Sequence, residues 1–274
     1  MMKQSMTRKI SFSSGHRFWF NHLSEQENRQ LFESWGSKYN HGHNYVLEVT
    51  VTGNVNPETC MIVNIKDVDA VLKSRLLPQF AQKSINDEIL YFERKTPSVE
   101  NLLVYIWNEI KDAKLPPEAT LKNIKLEEFP SFYGEYDGMK TTITRTYEFA
   151  AAHRLHVPTL SDETNIELFG KCNNLAGHGH NYLLEVTVSG KLDETTGMIC
   201  SINAVDEAVN REVVDRYDHK NFNCDLPEFE GKATTSEMIA QTIFQRLENS
   251  LPATLERIRL HETSRSLFEV CKNS

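Results

Sequence analysis

Polar and apolar residues alternate along Asn44-Tyr45-Val46-Leu47-Glu48-Val49-Thr50-Val51, the period-two pattern of a half-buried strand, and Gly53-Asn54 to Pro57 supplies an exit turn. An earlier strand is expected over residues 9–18, with a polar, acidic excursion at 22–30 before the second strand. Ile65, Val68, Val71 or Leu72, and Leu76 then recur at helical spacing, predicting an amphipathic helix over 65–77 that Pro78 stops. A second helix is expected over 98–110, with Pro97 in its first turn and Leu115-Pro116-Pro117 at its exit. Strands at 121–129 and 132–136 complete the series.

The series then runs again. His41-Gly42-His43-Asn44-Tyr45 matches His178-Gly179-His180-Asn181-Tyr182 at an offset of 137, and the match reaches upstream to His16-Arg17 and His153-Arg154. Downstream it takes in Met61-Ile62 and Met198-Ile199, then Glu100 and Glu237; a three-residue shortening of one loop carries Glu128 onto Glu262. The turn signal at Tyr136-Asp137-Gly138 divides the chain into repeats 1–137 and 138–274, each large enough to bury a core. The expected class is α+β: two tandem units, each β-β-α-α-β-β, with an antiparallel sheet and two helices on one face. Such a sheet has two edge strands that need cover, so self-association is expected.

A net charge of −8 and a pI near 5.7 argue against a general nucleic-acid binder. The polar start and the absence of a long apolar run predict a cytoplasmic protein that neither spans nor coats a membrane. The five cysteines form no Cys-x-x-Cys pair, and reduced thiols are the default.

The chemistry centres on residues 170–182, where two imidazoles and a thiol fall close together. His178 and His180, two apart on a strand, project from one face and can share a metal; Cys172 lies in the preceding loop, within reach of that metal. Cys172 could equally be a small buried apolar side chain. Asp218-His219 closes a helix, where an imidazolium also suits the helix dipole. Glu237 follows Thr234 by three, the spacing of a helix-capping box.

Phe149-(x3)-His153-Arg154-Leu155, Leu160 to Asn165, Phe169 to Asn174, His178 to Tyr182, Asp218 to Asn221 and His261-Glu262-Thr263 together resemble the 6-pyruvoyl-tetrahydropterin synthase family. The resemblance covers the second repeat; the first is more distantly similar. It implies the tunnelling fold (T-fold), with six units assembled as two stacked rings, so that a homotrimer of this chain would suffice. It implies Zn2+ held by His153, His178 and His180, with an open position for substrate. It further implies Cys172 as the proton-transfer group, assisted by Asp218 and His219, with the thiol of one unit meeting that pair from a ring neighbour. Glu262 would anchor a pterin, with Thr235 and Glu237 beside the pocket. The implied reaction converts 7,8-dihydroneopterin triphosphate to 6-pyruvoyl-tetrahydropterin with loss of triphosphate, a step toward tetrahydrobiopterin. The alternatives are the 6-carboxytetrahydropterin synthase of queuosine biosynthesis, acting on the same substrate, and a non-enzymatic zinc- or pterin-binding protein.

The first repeat keeps His16, His41 and His43 as expected zinc ligands and Glu128 as a vestigial pterin anchor. Trp35 stands at the position of Cys172, and Ala81-Gln82 at that of Asp218-His219. Some relatives use a glutamate in place of the cysteine for a different side-chain cleavage, and Glu33 lies two residues from Trp35.

Overall fold

The computed structural model describes residues 3–113, 115 and 119–272. The chain forms two compact units: Met1–Ile143 with Ser189–Ser201, and Thr144–Val188 with Ile202–Ser274.

In the first unit β1 (Gln4–His16), α1 (Glu25–Phe32) and β2 (His41–Gly53) are followed by α2 (Ile65–Val71) and the two-residue β3 (Lys83–Ser84). Then come α3 (Val99–Ile110), β4 (Ala119–Phe129) and β5 (Phe132–Tyr136), giving the sheet order β5-β4-β2-β1-β3. Alternation along β2 sends Tyr45, Leu47, Val49 and Val51 into the core, where Leu72, Phe80, Leu103 and Ile106 are also buried. The antiparallel register sets His16 opposite His41 and Ser14 opposite His43, while β3 lies parallel to β1 at Ser14 and Gly15.

The polar excursion is in part a helix. Ser24 and Glu27 form a reciprocal capping box that starts α1, a local signal outweighing the weak apolar periodicity. Pro78 does not stop the second-layer helix, which passes through a π turn at Leu72–Leu76 and continues over Leu77–Phe80. There Leu77 N–H reaches the Leu72 carbonyl, a wider register that relieves the crowding a proline causes in an α-helix. Pro97 precedes the N-cap, Ser98, rather than sitting in the first turn. The expected exit prolines, Pro116 and Pro117, lie outside the described residues.

The second unit has β6 (Thr141–His153), α4 (Asp162–Phe169), β7 (His178–Ser189), α5 (Ile202–Val209), β8 (Lys220–Asn221), α6 (Ser236–Leu247), β9 (Thr254–Thr263) and β10 (Ser266–Cys271). Its order is β10-β9-β7-β6, with β8 parallel to β6. A π turn at Asn210–Val214 recurs here without a proline, so the turn belongs to the repeat. No helix among the described residues is long and apolar enough to cross a membrane.

Candidate metal centre and active site

In both units the histidine cluster arises where the first two strands of the repeat come together, and each triad offers ligand atoms within 4.8 Å of one another. Around the second triad, His153 Nδ1 lies 2.8 Å from the Thr234 carbonyl. A carbonyl only accepts, so Nδ1 carries the proton and Nε2 presents its lone pair inward. His16 repeats this with the Pro97 carbonyl at 3.0 Å. His153 Nε2 and His178 Nε2 approach to 3.2 Å, close to the roughly 3.3 Å between two nitrogens on one tetrahedral zinc. The buried Nε2 atoms of His16, His43 and His180 have no hydrogen-bond partner among the described residues. Fixed tautomers, converging lone pairs and unused buried nitrogens fit a zinc-type cation in each unit.

Burial pushes His16 down to about 3, with repulsion from His41 and His43 adding to it, and pushes His43 down to about 4. His41, His153 and His180 are also lowered, chiefly by burial. In the unfolded chain these imidazoles titrate near 6.5, so below that value the unfolded state binds protons that the folded state refuses. The metal-free chain therefore keeps its full stability above about pH 6.5 and loses it toward acid. Its urea-unfolding free energy is expected to fall by about 1 kcal/mol or more per pH unit between about pH 6 and 4. A flat profile would exclude buried neutral imidazoles.

Glu262 sits beside the second triad, its Oε1 3.6 Å from both His153 Nε2 and His180 Nε2. The Ser236 hydroxyl donates to the same Oε1 at 2.8 Å. Thr235 is the N-cap of α6, its Oγ1 accepting the Met238 N–H. The capping box expected from Thr234 and Glu237 does not form. The Thr234 carbonyl serves His153 and its hydroxyl the Arg154 carbonyl, leaving Glu237 exposed as the second residue of the helix.

Cys172 is half-buried in a 3-10 turn, Gly170–Asn173, and its carbonyl accepts the Leu155 N–H at 2.9 Å, tying the turn to the end of β6. Asn165, fully buried on α4, pins the loop of residues 157–161 that leads from β6 into that helix. Its Oδ1 accepts the Val157 N–H, and its Nδ2 donates to the carbonyls of Val157, Leu160 and Ser161. Asn28 makes the same set in the first unit. Sequence reasoning passed over this pair, although both lie at the repeat offset of 137 and four residues after a serine.

Asp218 and His219 form a dyad. The Ala150 N–H donates to Asp218 Oδ1 at 2.7 Å, and His219 Nδ1 lies 2.8 Å from Oδ2. The Ala150 N–H, then His219, hold this carboxyl below its ordinary range. The His219 ring is 83% exposed and stands on a backbone with φ of 58°. A cavity of about 580 Å³ runs past His219, Asn221, His180 and Ala152. Among the described residues no hydrogen bond joins Cys172 to the dyad. In the first unit Gln82 keeps the same turn, with φ of 61° and its N–H on the Ser13 carbonyl, as His219 N–H is on Ala150. Glu33 is exposed and accepts from the Ser201 hydroxyl at 2.8 Å.

The profile of a family described as 6-pyruvoyl tetrahydropterin synthase matches residues 5–139 and again 142–273. A 6-pyruvoyl tetrahydrobiopterin synthase of Drosophila melanogaster is 43% identical over 128 residues, 46% of this chain and 76% of that protein. The Homo sapiens protein of that name is 39% identical over 126 residues, 46% of this chain and 87% of its own. A 6-carboxy-5,6,7,8-tetrahydropterin synthase of Rickettsia bellii is 30% identical, covering 47% of this chain and 96% of that one. Among solved structures, the Caenorhabditis elegans 6-pyruvoyl tetrahydropterin synthase has a TM-score of 0.47 at 36% identity, over 48% of this chain and 95% of that one.

Proposed function

We propose, since this chain belongs to the 6-pyruvoyl tetrahydropterin synthase family, that its second unit converts 7,8-dihydroneopterin triphosphate to 6-pyruvoyl-tetrahydropterin with release of triphosphate. One observation carries the reading: two repeats share a backbone plan, and only the second combines the histidine triad with a thiol at 172 and a carboxylate-imidazole pair at 218–219. The working division is repeat 1–137, without this chemistry, and repeat 138–274, with it.

His153, His178 and His180 would hold Zn2+, which supplies Lewis acidity toward the substrate's side-chain hydroxyls when bound. Cys172 takes and returns the proton moved along the side chain. Asp218, fixed by the Ala150 N–H, keeps the His219 proton on Nδ1 and turns Nε2 outward to accept one from the thiol. This meeting requires the dyad of a neighbouring chain or a closure of the loop. Glu262, with Oε1 held by Ser236, leaves Oε2 to accept from the N–H groups of a pterin edge. By the family resemblance Thr235 and Glu237 would lie beside the bound pterin. Incubation of the zinc-loaded chain with 7,8-dihydroneopterin triphosphate tests the reading by mass spectrometry. A 6-pyruvoyl product is expected; a 6-carboxy product moves the chain to the queuosine reaction, and no turnover with zinc and pterin bound favours a binding protein.

We further infer a homotrimer in which exposed loops dock on neighbours. In the second repeat Met198 is buried against Phe18, Phe20 and Phe32 of the first unit; its counterpart Met61 is 43% exposed. Both loops share one backbone, with the N–H of Asn56 on Met61 and that of Asp193 on Met198, at 2.9 Å each. Met61→Asp is expected to reduce a trimer to monomers by light scattering, and an unchanged mass excludes this loop from the contact.

A further inference from the structure

Residues 56–62 and 193–199 are the same loop in the two repeats. The Asp193 N–H donates to the Met198 carbonyl at 2.9 Å and the Gly197 N–H to the Asp193 carbonyl at 2.8 Å; Asn56, Cys60 and Met61 repeat both bonds at the same distances. The Asp193 carboxylate accepts the N–H groups of Thr195 and Thr196, as the Asn56 amide oxygen accepts those of Glu58 and Thr59. The left-handed backbone also recurs, with φ of 66° at Gly197 and 56° at Cys60. A cysteine held where glycine is favoured shows how firmly the loop is specified.

The later loop is docked within the first unit. The Ser98 hydroxyl donates to the Gly197 carbonyl at 2.9 Å, and the buried Glu100 carboxylate accepts the Ile199 N–H at 3.0 Å. Met198 is buried against Phe18, Phe20 and Phe32, with Leu23 and Leu31 packed around them. The earlier loop leaves Met61 exposed.

The second unit carries the matching seat, and it is uncovered. Thr235 stands at the position of Ser98, and the exposed Glu237 at that of Glu100. Thr235 Oγ1 accepts the Met238 N–H just as Ser98 Oγ accepts the Asn101 N–H while giving its own proton to Gly197. Leu155, Val157 and Phe169 replace the three buried phenylalanines and are half-buried. Leu160 and Leu168, the equivalents of Leu23 and Leu31, are 38% and 61% exposed.

A paired difference fits the earlier loop to this seat. A Cβ on Gly197 would fall 1.7 Å from the Asn101 amide nitrogen, which is itself held by the Thr96 carbonyl, so the first seat takes only glycine. Met238 stands at the position of Asn101, and its unbranched thioether can move aside for the Cys60 side chain. The two sites beside the seats differ as well. The first triad is walled by rings, Trp35 lying 6.1 Å from Phe18 and Phe129 stacking on His43 at 6.0 Å, centre to centre; Cys172 and Thr263 stand at the positions of Trp35 and Phe129.

We propose that residues 56–62 of a second copy of this chain seat on the second unit. The Cys60 carbonyl takes the Thr235 hydroxyl proton, the Glu237 carboxylate takes the Ile62 N–H, and Met61 packs on Leu155, Val157 and Phe169. Leu155 is tied to the Cys172 carbonyl, so the partner's loop borders the site that holds the thiol. Each chain offers one loop and one seat, a head-to-tail contact, and the self-association inferred above gains a defined surface.

Disulfide trapping tests this on the full zinc-loaded chain. A Cβ at 197 lies 2.4 Å from Asn101 Cγ, so in the docked pair the Cβ atoms of positions 60 and 238 come within about 4 Å, the separation a disulfide needs. Met238→Cys, oxidised with diamide, is expected to give chains covalently joined between positions 60 and 238, about tenfold faster or more than the same variant carrying Cys60→Ala. A bond within one chain, linkage through Cys224 or Cys271 alone, or a rate that Cys60→Ala leaves unchanged overturns the proposal. Where Met238→Cys does not fold, Glu237→Lys at its exposed position supplies the readout: a lower mass by light scattering is expected, and an unchanged mass overturns the seat. Trapping needs no turnover. Linkage in an inert chain supports the contact alone, while a chain that forms product without linkage overturns the contact and leaves the catalytic reading standing.

Discussion

Cys172→Ala is expected to reduce formation of the 6-pyruvoyl product by about 10³-fold or more, the scale lost when a positioned proton-transfer group is removed. The change deletes one sulfur from a half-buried turn whose backbone is held by the Leu155 N–H on the Cys172 carbonyl, so the fold and the triad should be untouched. Zinc content of the purified variant should equal that of the wild type. Trp35→Ala is the paired control. It removes a ring from the first unit and is expected to leave turnover within about twofold, since no step of the reaction is assigned there. Its cost should appear as lower stability, from a cavity against Phe18 and Phe132. Retained activity in Cys172→Ala would remove the thiol from the mechanism, and loss of activity in Trp35→Ala would give the first unit a role denied to it here.

Asn165→Ala is expected to give the largest loss of stability in the second unit, about 3 kcal/mol by urea unfolding. The substitution takes from the Val157 N–H its acceptor and from the Leu160 carbonyl its donor, while the Val157 and Ser161 carbonyls keep the backbone N–H groups of residues 160 and 165. Ser161→Ala, which removes only the N-cap oxygen accepting the Thr164 N–H, should cost about 1 kcal/mol. The ranking matters for function. Asn165 fixes residues 157–161 at the start of α4, and the turn with Cys172 follows directly from the end of that helix, so turnover should fall further than the unfolded fraction explains, while zinc stays bound. An Asn165→Ala chain as stable as Ser161→Ala would mean that water replaces the amide.

Strand positions were legible because alternation at residues 44–51 reports a face, and a repeated pattern fixes register better than a single copy does. The triads were legible for the same reason: His-x-His on a strand places both rings on one side. What escaped were devices made of backbone. The helix at Glu25–Phe32 has little apolar periodicity and is declared only by its Ser24 and Glu27 cap. Pro78 misled because a π turn carries the chain across it, and nothing in the side chains of residues 72–76 announces that turn. Glu237 misled because Thr234 has the right spacing from it, but its polar groups are already committed to His153 and Arg154. The contrast between the two triads also lay out of sight, since the strand register is what brings Phe129 onto His43 and Phe132 beside Phe129.

The membership of Ser189–Ser201 in the first unit has a consequence for biosynthesis. A ribosome delivers the chain in order, and domains ordinarily complete themselves as they emerge. Here Phe18, Phe20 and Phe32 would wait for Met198, and the Glu100 carboxylate for the Ile199 N–H, through the synthesis of all of β6, α4 and β7. The nascent first repeat is therefore an unfinished fold with an apolar opening, and it is the later repeat that finishes it. The tandem arrangement keeps the closing segment on the same polypeptide, at a local concentration no separate subunit would reach.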